Sequence, residues 1–255
     1  MNNIAIFKAE SETEKIDPYI EILRKKGHKA TLIPTLAFSF INSEILQEHL
    51  SQPDIFEGII FTSPRTVEAV NKSISGSSDN LLPKWRSKKN FCVGESTANL
   101  ARTLLKFTSL GEESGNAEQL CNFILSSYPD GCCKSFLFPC SNKRRETVPT
   151  FLQENGFKII EVVSYETICN PSLKSHWEKL VIEQGLPNIL VFFSPSGVQY
   201  CHKLIKESYF GTSLPKIIAI GPSTEKALIE ASLTPYKIAV KPTPNAVYEI
   251  IESLS

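Results

Sequence analysis

The sequence predicts an α/β fold of two similar lobes, each a parallel sheet flanked by helices, with a two-stranded β-ladder as the hinge. Three observations predict it. Short apolar runs alternate with amphipathic stretches, three motifs recur in the same order along the chain, and one βαβ unit is displaced relative to that repeat.

The runs at 4–7, 58–61, 91–94, 136–138, 189–193 and 217–220 are short and rich in Ile, Val and Phe. Runs of this kind suit strands buried on both faces, as in a parallel sheet covered by helices. Amphipathic segments between several of them supply the crossover helices that parallel strands need.

The repeat is visible in three pairs of segments. Ile59-Ile60-Phe61-Thr62-Ser63-Pro64-Arg65-Thr66-Val67 matches Leu190-Val191-Phe192-Phe193-Ser194-Pro195-Ser196-Gly197-Val198. Val93-Gly94-Glu95-Ser96-Thr97-Ala98 matches Ile220-Gly221-Pro222-Ser223-Thr224-Glu225, and Gly115-Asn116-Ala117-Glu118 matches Pro244-Asn245-Ala246-Val247. The order is shared and the spacings agree within a few residues, so the chain reads as a duplicated α/β domain.

The displaced piece is the βαβ unit at the start: the run 4–7, a helix over about 17–26, Gly27 and the run 30–34. Its twin is the run 136–138, a helix over about 146–155, Gly156 and the run 159–163. The first unit precedes its repeat, whereas the twin follows. The economical organisation is a discontinuous domain 1 (about 1–36 plus 168–255) into which domain 2 (about 38–165) is inserted. Two strand-like linkers, near 35–40 and 164–171, then form the hinge; the competing organisation is two sequential domains with one linker.

Composition narrows the function. The chain has 255 residues, enough for two domains of ~100–150 residues. Hydrophobic residues make up 42%, which suits packed cores. Lys plus Arg equal Asp plus Glu at 27 each, so the basic excess of a nucleic-acid binder is missing. The basic clusters at 24–26, 84–89 and 143–145 read as solvated faces or turns. No run approaches the ~18 apolar residues of a membrane span, and the N-terminus reads as a first strand rather than a signal peptide. Seven cysteines, with Cys132 and Cys133 adjacent and no C-x-x-C pair, suggest free thiols in a reducing cytosol. The four histidines show no ligand spacing, so no metal site is predicted.

Ligands of parallel α/β sheets bind beyond the carboxyl ends of the strands, and the matching motifs stand at such ends. In Thr62-Ser63-Pro64 and again in Phe193-Ser194-Pro195-Ser196-Gly197, a strand end is followed by a capping serine and a proline suited to the first helical turn. Each lobe offers a second helix start beside the first, at Gly94-Glu95-Ser96-Thr97 and at Gly221-Pro222-Ser223-Thr224. The motifs serve as helix starts alone, or they also present free amides and hydroxyls to an anion from both sides of one cleft. Neither glycine turn is a G-x-G-x-x-G or a P-loop, which disfavours nucleotides. A third strand end, Phe138-Pro139-Cys140-Ser141-Asn142, runs into a basic turn; no histidine is placed to activate Cys140 as a nucleophile. Tyr165, where domain 2 returns to domain 1, either packs the hinge or presents a hydroxyl to the cleft.

The ordered set formed by 61–69, 115–118, 138–140, 165–167, 192–197 and 219–224 resembles the eukaryotic uroporphyrinogen-III synthases over nearly the whole chain. The resemblance implies a cyclising lyase that needs neither metal nor organic cofactor. Its substrate would be hydroxymethylbilane, a linear tetrapyrrole with eight carboxylates. Ring A loses its hydroxyl as water, ring D attacks through its substituted carbon, and a spiro intermediate fragments and recloses with ring D inverted. Tyr165 would be the general acid. Thr62, Ser63, Ser96, Thr97, Cys140, Ser141, Ser194, Ser196, Gly197, Ser223 and Thr224 would hold the substrate. Cys140-Ser141 departs from the family's glycine after the cysteine, which leaves that turn's contacts least secure. The composition points to a cytosolic protein without nucleic-acid or membrane partners, nothing in the sequence demands more than a monomer, and a transient contact with the enzyme that makes the bilane is allowed. The alternative reading is a two-lobed cytosolic binding protein or sensor for a polycarboxylate.

Overall fold

The computed structural model describes residues 1–10, 16–74, 81–128, 134–143, 146–212, 214–239 and 241–254. Cys132, Cys133, Arg144 and Arg145, singled out above, lie outside the described residues. In chain order the elements are β1 (Asn3–Lys8), α1 (Pro18–Lys25), β2 (Lys29–Pro34), β3 (Leu36–Phe40), α2 (Ser43–Leu50), β4 (Gly58–Phe61), α3 (Pro64–Ile74), α4 (Leu81–Arg86), β5 (Asn90–Cys92), α5 (Glu95–Leu104) and β6 (Ser109–Leu110). They continue with α6 (Ala117–Ser126), β7 (Ser135–Ser141), α7 (Thr147–Glu154), β8 (Lys158–Cys169), α8 (Leu173–Gln184), β9 (Ile189–Phe192), α9 (Pro195–Ser208), β10 (Lys216–Ile220), α10 (Pro222–Glu230), β11 (Lys237–Ala239) and α11 (Pro244–Glu252). Two compact units result: unit 1 is Met1–Ala37 with Ile168–Ser255, and unit 2 is Phe38–Thr167.

Unit 1 holds a five-stranded sheet in the order β11-β10-β9-β1-β2, all parallel. Side chains alternate across it, as a period of two requires. Ala5, Phe7, Leu190, Phe192, Ile217 and Ala219 enter one core with Trp177 and Val198. Their neighbours Ile4, Ile6, Ile189, Val191, Ile218 and Ile220 enter the other with Ile20 and Val247. Both faces are therefore covered, which is why these strands lack polar alternation. Each fully buried large aliphatic contributes ~1.5–3 kcal/mol relative to exposure. Asp17 starts α1 by accepting from Tyr19 N at 2.9 Å, and Pro18 follows where its missing N–H costs nothing.

Unit 2 carries the same strand order, β6-β5-β4-β7-β8, with β3 added beside β8. Here β7 and β8 take the places that β1 and β2 hold in unit 1, as the displaced βαβ unit predicts. Ile59, Phe61 and Leu137 face one core with Trp85, while Ile60, Phe136 and Phe138 face the other with Leu152. Buried Asn90 ties the layers by accepting from Ile59 N (3.0 Å) and donating to Trp85 O (2.8 Å). The linking strands β3 and β8 are neighbours. Asn170 N donates to Thr35 O and Ile41 N to Ser164 O, both at 3.1 Å, so the two strands run antiparallel as a ladder.

The duplication extends to backbone geometry. Gly94 before α5 has φ 79°, ψ 149°, and Gly221 before α10 has φ 76°, ψ 162°. That region is essentially closed to residues with a Cβ, which explains glycine at both helix starts. The third motif pair needs a correction. Asn116 caps α6 by accepting from Gln119 N, but the equivalent cap of α11 is Thr243, accepting from Ala246 N. The sequence match pairs Asn116 with Asn245, which lies two residues past the cap, in the first turn behind Pro244.

Candidate functional site

In unit 2, the carboxyl ends of β4 and β7 and the middle of β8 bring Ser63, Ser141 and Tyr165 to one edge. The register between β7 and β8 runs Cys140 opposite Val163 and then Ser141 opposite Tyr165, so β8 holds one extra residue, Ser164. Ser164 is buried and donates from Oγ to Cys140 O at 3.3 Å. Bulges of this type re-aim the following side chain and recur beside active sites. Tyr165 Oη then lies 3.1 Å from Ser63 Oγ, and Tyr165 O accepts from Asn142 N at 3.1 Å. The Tyr165 ring meets Phe38 edge to face at 6.1 Å, and Arg65 lies over the Phe38 ring at 4.4 Å. Arg65 in turn reaches both Glu68 oxygens, at 2.9 and 3.0 Å. Sequence reasoning passed over Phe38 and Arg65. The available signal was the repeat itself, since Ser63-Pro64-Arg65 departs from Ser194-Pro195-Ser196 at its third position.

The two serines expected as twin caps differ. Ser194 caps α9, its Oγ accepting from Gly197 N at 3.2 Å, with Ser196 Oγ 3.3 Å away. Ser63 turns its hydroxyl to Tyr165, and its carbonyl instead accepts from Thr66 N (3.1 Å) and Thr66 Oγ1 (2.6 Å).

Thr62, Ser63, Ser141, Ser194 and Ser196 are half-buried, and Ser96 and Ser223 are exposed. These seven residues keep some solvent exposure, although Ser63 Oγ is engaged by Tyr165 and Ser194 Oγ by Gly197 N. Thr97 and Thr224 are buried, at 2% and 1% exposure. Each stands third in its helix and shares a face with a residue one turn on, Ala101 and Leu228, that faces the core. Cys140 is also buried, with its thiol 3.6 Å from Val162 O. Gly197 is buried, and its N–H is taken by Ser194 Oγ. Burial pushes the Cys92 and Cys121 thiols up to about 11, which keeps both protonated at neutral pH. Among the described residues, no three His, Cys, Asp or Glu side chains gather to hold a metal, and no helix is long and apolar enough to cross a membrane.

Fold and strand edges together define a class: a duplicated α/β protein with one parallel sheet and one parallel but for its edge strand β3, each presenting paired helix starts at the carboxyl ends of its strands. Within that class, the family model described as Uroporphyrinogen-III synthase HemD matches residues 17–249. The chain belongs to the uroporphyrinogen-III synthase family. The uroporphyrinogen-III synthase of Saccharomyces cerevisiae is 26% identical over 270 residues, covering 98% of this chain and 96% of that one. That of Schizosaccharomyces pombe is 23% identical over 240 residues, covering 93% and 92%. Among solved structures, the Helicobacter pylori uroporphyrinogen-III synthetase shares the fold with a TM-score of 0.57 at 20% identity over 100% of both chains. A mutant uroporphyrinogen III synthase from Thermus thermophilus gives 0.54 at 14% identity, over 100% of this chain and 99% of its own.

Proposed function

We propose that this chain cyclises hydroxymethylbilane to uroporphyrinogen III, with Tyr165 as the general acid that assists loss of water. Family membership supports the reaction. The observation that carries the assignment of Tyr165 is its hydroxyl, 3.1 Å from Ser63 Oγ beside the β8 bulge.

The reaction asks little of strong acids and bases. Electrons from the ring A pyrrole nitrogen expel the hydroxyl, and Tyr165 Oη supplies the proton that makes it water. The azafulvene so formed is attacked by the substituted carbon of ring D. The spiro intermediate fragments and recloses through the free position of ring D. The final ring regains aromaticity by losing a proton, and one proton returns to Tyr165, so the net change is loss of one water. Ser63 accepts from or donates to Tyr165 and keeps its hydroxyl in one direction. Positioning then dominates: a flexible chain closes unaided to the symmetric isomer, and the protein must favour the other contact.

The carboxylates of the substrate are held by Thr62, Ser141, Ser194, Ser196, Ser96 and Ser223, together with the free amides at the starts of α5 and α10. We assign Thr97 and Thr224 to packing, with only their backbone facing a ligand, and Cys140 to the core. The reaction proceeds without a cofactor in the cytosol, where Cys92, Cys121, Cys140, Cys169 and Cys201 stay free thiols. Protein treated exhaustively with chelator and given fresh hydroxymethylbilane should consume it far faster than spontaneous closure. Consumption at the spontaneous rate, restored by an added divalent metal, would overturn the cofactor-free proposal.

A further inference from the structure

We propose that Lys8 is a carboxylate-binding residue of the strand edge in unit 1, an inference that rests on the function proposed above. Lys8 ends β1, the strand lying between β2 and β9. Its carbonyl accepts from Thr35 N at 3.2 Å, and the preceding carbonyl, Phe7 O, accepts from Phe193 N at 3.1 Å. Lys8 therefore stands between Thr35 on one side and Phe193, followed by Ser194, on the other. This is the edge at which the fourteen-residue α9 begins.

The ammonium group is held in place. Lys8 Nζ lies 2.6 Å from Asp17 Oδ2, 5.1 Å from the centre of the Tyr19 ring and 5.8 Å from that of Phe193. Asp17 is fully engaged, since its second oxygen caps α1 through Tyr19 N. Its side chain is 6% exposed, whereas that of Lys8 is 23% exposed. An ammonium has three donors; Asp17 takes one, and the two rings offer π-faces rather than lone pairs. Lys8 thus keeps accessible donors toward a ligand, on a side chain fixed by one ion pair and two aromatic faces.

A second observation marks this edge as polar. Thr35 is 0% exposed, and its Oγ1 has no hydrogen-bond partner. It lies 3.5 Å from the point where a Cβ on Gly197 would stand, and Ser194 Oγ lies 3.3 Å from the same point. Thr35 Oγ1 and Ser194 Oγ thus set two hydroxyl oxygens against Gly197 at the strand edge that Lys8 ends. Both residues escaped the sequence reading, because a lysine and a threonine at strand ends carry no motif.

The test compares three variants by fluorescence titration with uroporphyrin III, an air-stable octacarboxylate, and by kcat and KM for hydroxymethylbilane. Lys8→Gln combined with Asp17→Asn removes both charges and leaves no buried ion unpaired. It should bind uroporphyrin III ~10- to 100-fold more weakly, the span of a charge-assisted hydrogen bond, and raise KM with kcat little changed. Asp17→Asn alone keeps the helix cap and frees the Lys8 charge, so it should bind more tightly than the parent. Lys8→Arg keeps the charge and should retain most of the affinity. A merely structural ion pair predicts the opposite sign for Asp17→Asn, with losses like those of the double variant, and that result would overturn the inference. So would a folded double variant with parental affinity and KM, provided the parent binds uroporphyrin III and yields type III product. A parent that does neither overturns the functional reading as well.

Discussion

Replacing Tyr165 by Phe deletes one hydroxyl and leaves the ring, so its consequences for folding and for chemistry separate. The lost hydrogen bond, to Ser63 Oγ at 3.1 Å, is neutral and half-buried. Such bonds contribute ~0.5–1.5 kcal/mol. The edge-to-face contact with Phe38 at 6.1 Å survives. Stability should therefore fall by no more than ~1.5 kcal/mol, a few degrees in melting temperature for a chain of this size. A positioned general acid contributes ~10²- to 10⁴-fold, so kcat should fall by that factor while KM holds. As the catalysed route slows, spontaneous closure overtakes it, and the type I isomer should rise. The assay is initial rate, isomer ratio and thermal unfolding measured on one preparation, with Ser63→Ala and the double variant closing a cycle. Because Ser63 acts through Tyr165, Ser63→Ala should cost little activity once Tyr165 is already Phe. A folded Tyr165→Phe protein with parental kcat and predominantly type III product would refute the role.

Three further outcomes follow from the geometry. Ser194→Ala loses a helix cap and should cost ~0.5–2 kcal/mol whether or not Tyr165 is Phe, whereas Ser63→Ala loses only its bond to Tyr165 Oη, ~0.5–1.5 kcal/mol, and should cost almost nothing once Tyr165 is Phe; an undiminished Ser63→Ala loss in the Tyr165→Phe background, by urea unfolding, would contradict the difference between the twins. Gly58→Ala would place a Cβ 2.0 Å from Lys89 O, a backbone atom that cannot swing away, and should destabilise by at least the ~1–3 kcal/mol of an overpacked core; a parental unfolding midpoint would contradict it. Burial raises the Cys92 and Cys121 thiols from 9.0 to about 11. Below pH 9 they are protonated in both states; above it the unfolded chain loses protons that the native state keeps, so stability should fall between pH 9 and 11. Cys92→Ala should flatten that fall, and an unchanged slope would argue against it.

The fold was legible because its signals are local. Ile4 to Phe7 and Ile189 to Phe192 are buried on both faces, and their unbroken apolar character says so without a partner in view. Gly94 and Gly221 are fixed by a backbone conformation, which also shows in sequence. The site was legible only in outline, because what distinguishes its residues is tertiary. Ser63 and Ser194 share their neighbours in sequence, yet one meets a tyrosine 102 residues away and the other caps its own helix. Thr97 and Ser96 are adjacent hydroxyls, and the sense of the helix alone sends one into the core. The extra residue at Ser164 is a property of the pairing between β7 and β8, not of β8. Lys8 needed Asp17 and Phe193 in place before its direction meant anything.

The central claim is that this chain directs which carbon of ring D meets ring A. Its most direct test is the isomer made from freshly prepared hydroxymethylbilane, oxidised and separated as the porphyrins, with a protein-free control in parallel. The account predicts predominantly type III product with the protein present and type I in the control. Type I product in both would contradict it, however tightly the protein held the tetrapyrrole.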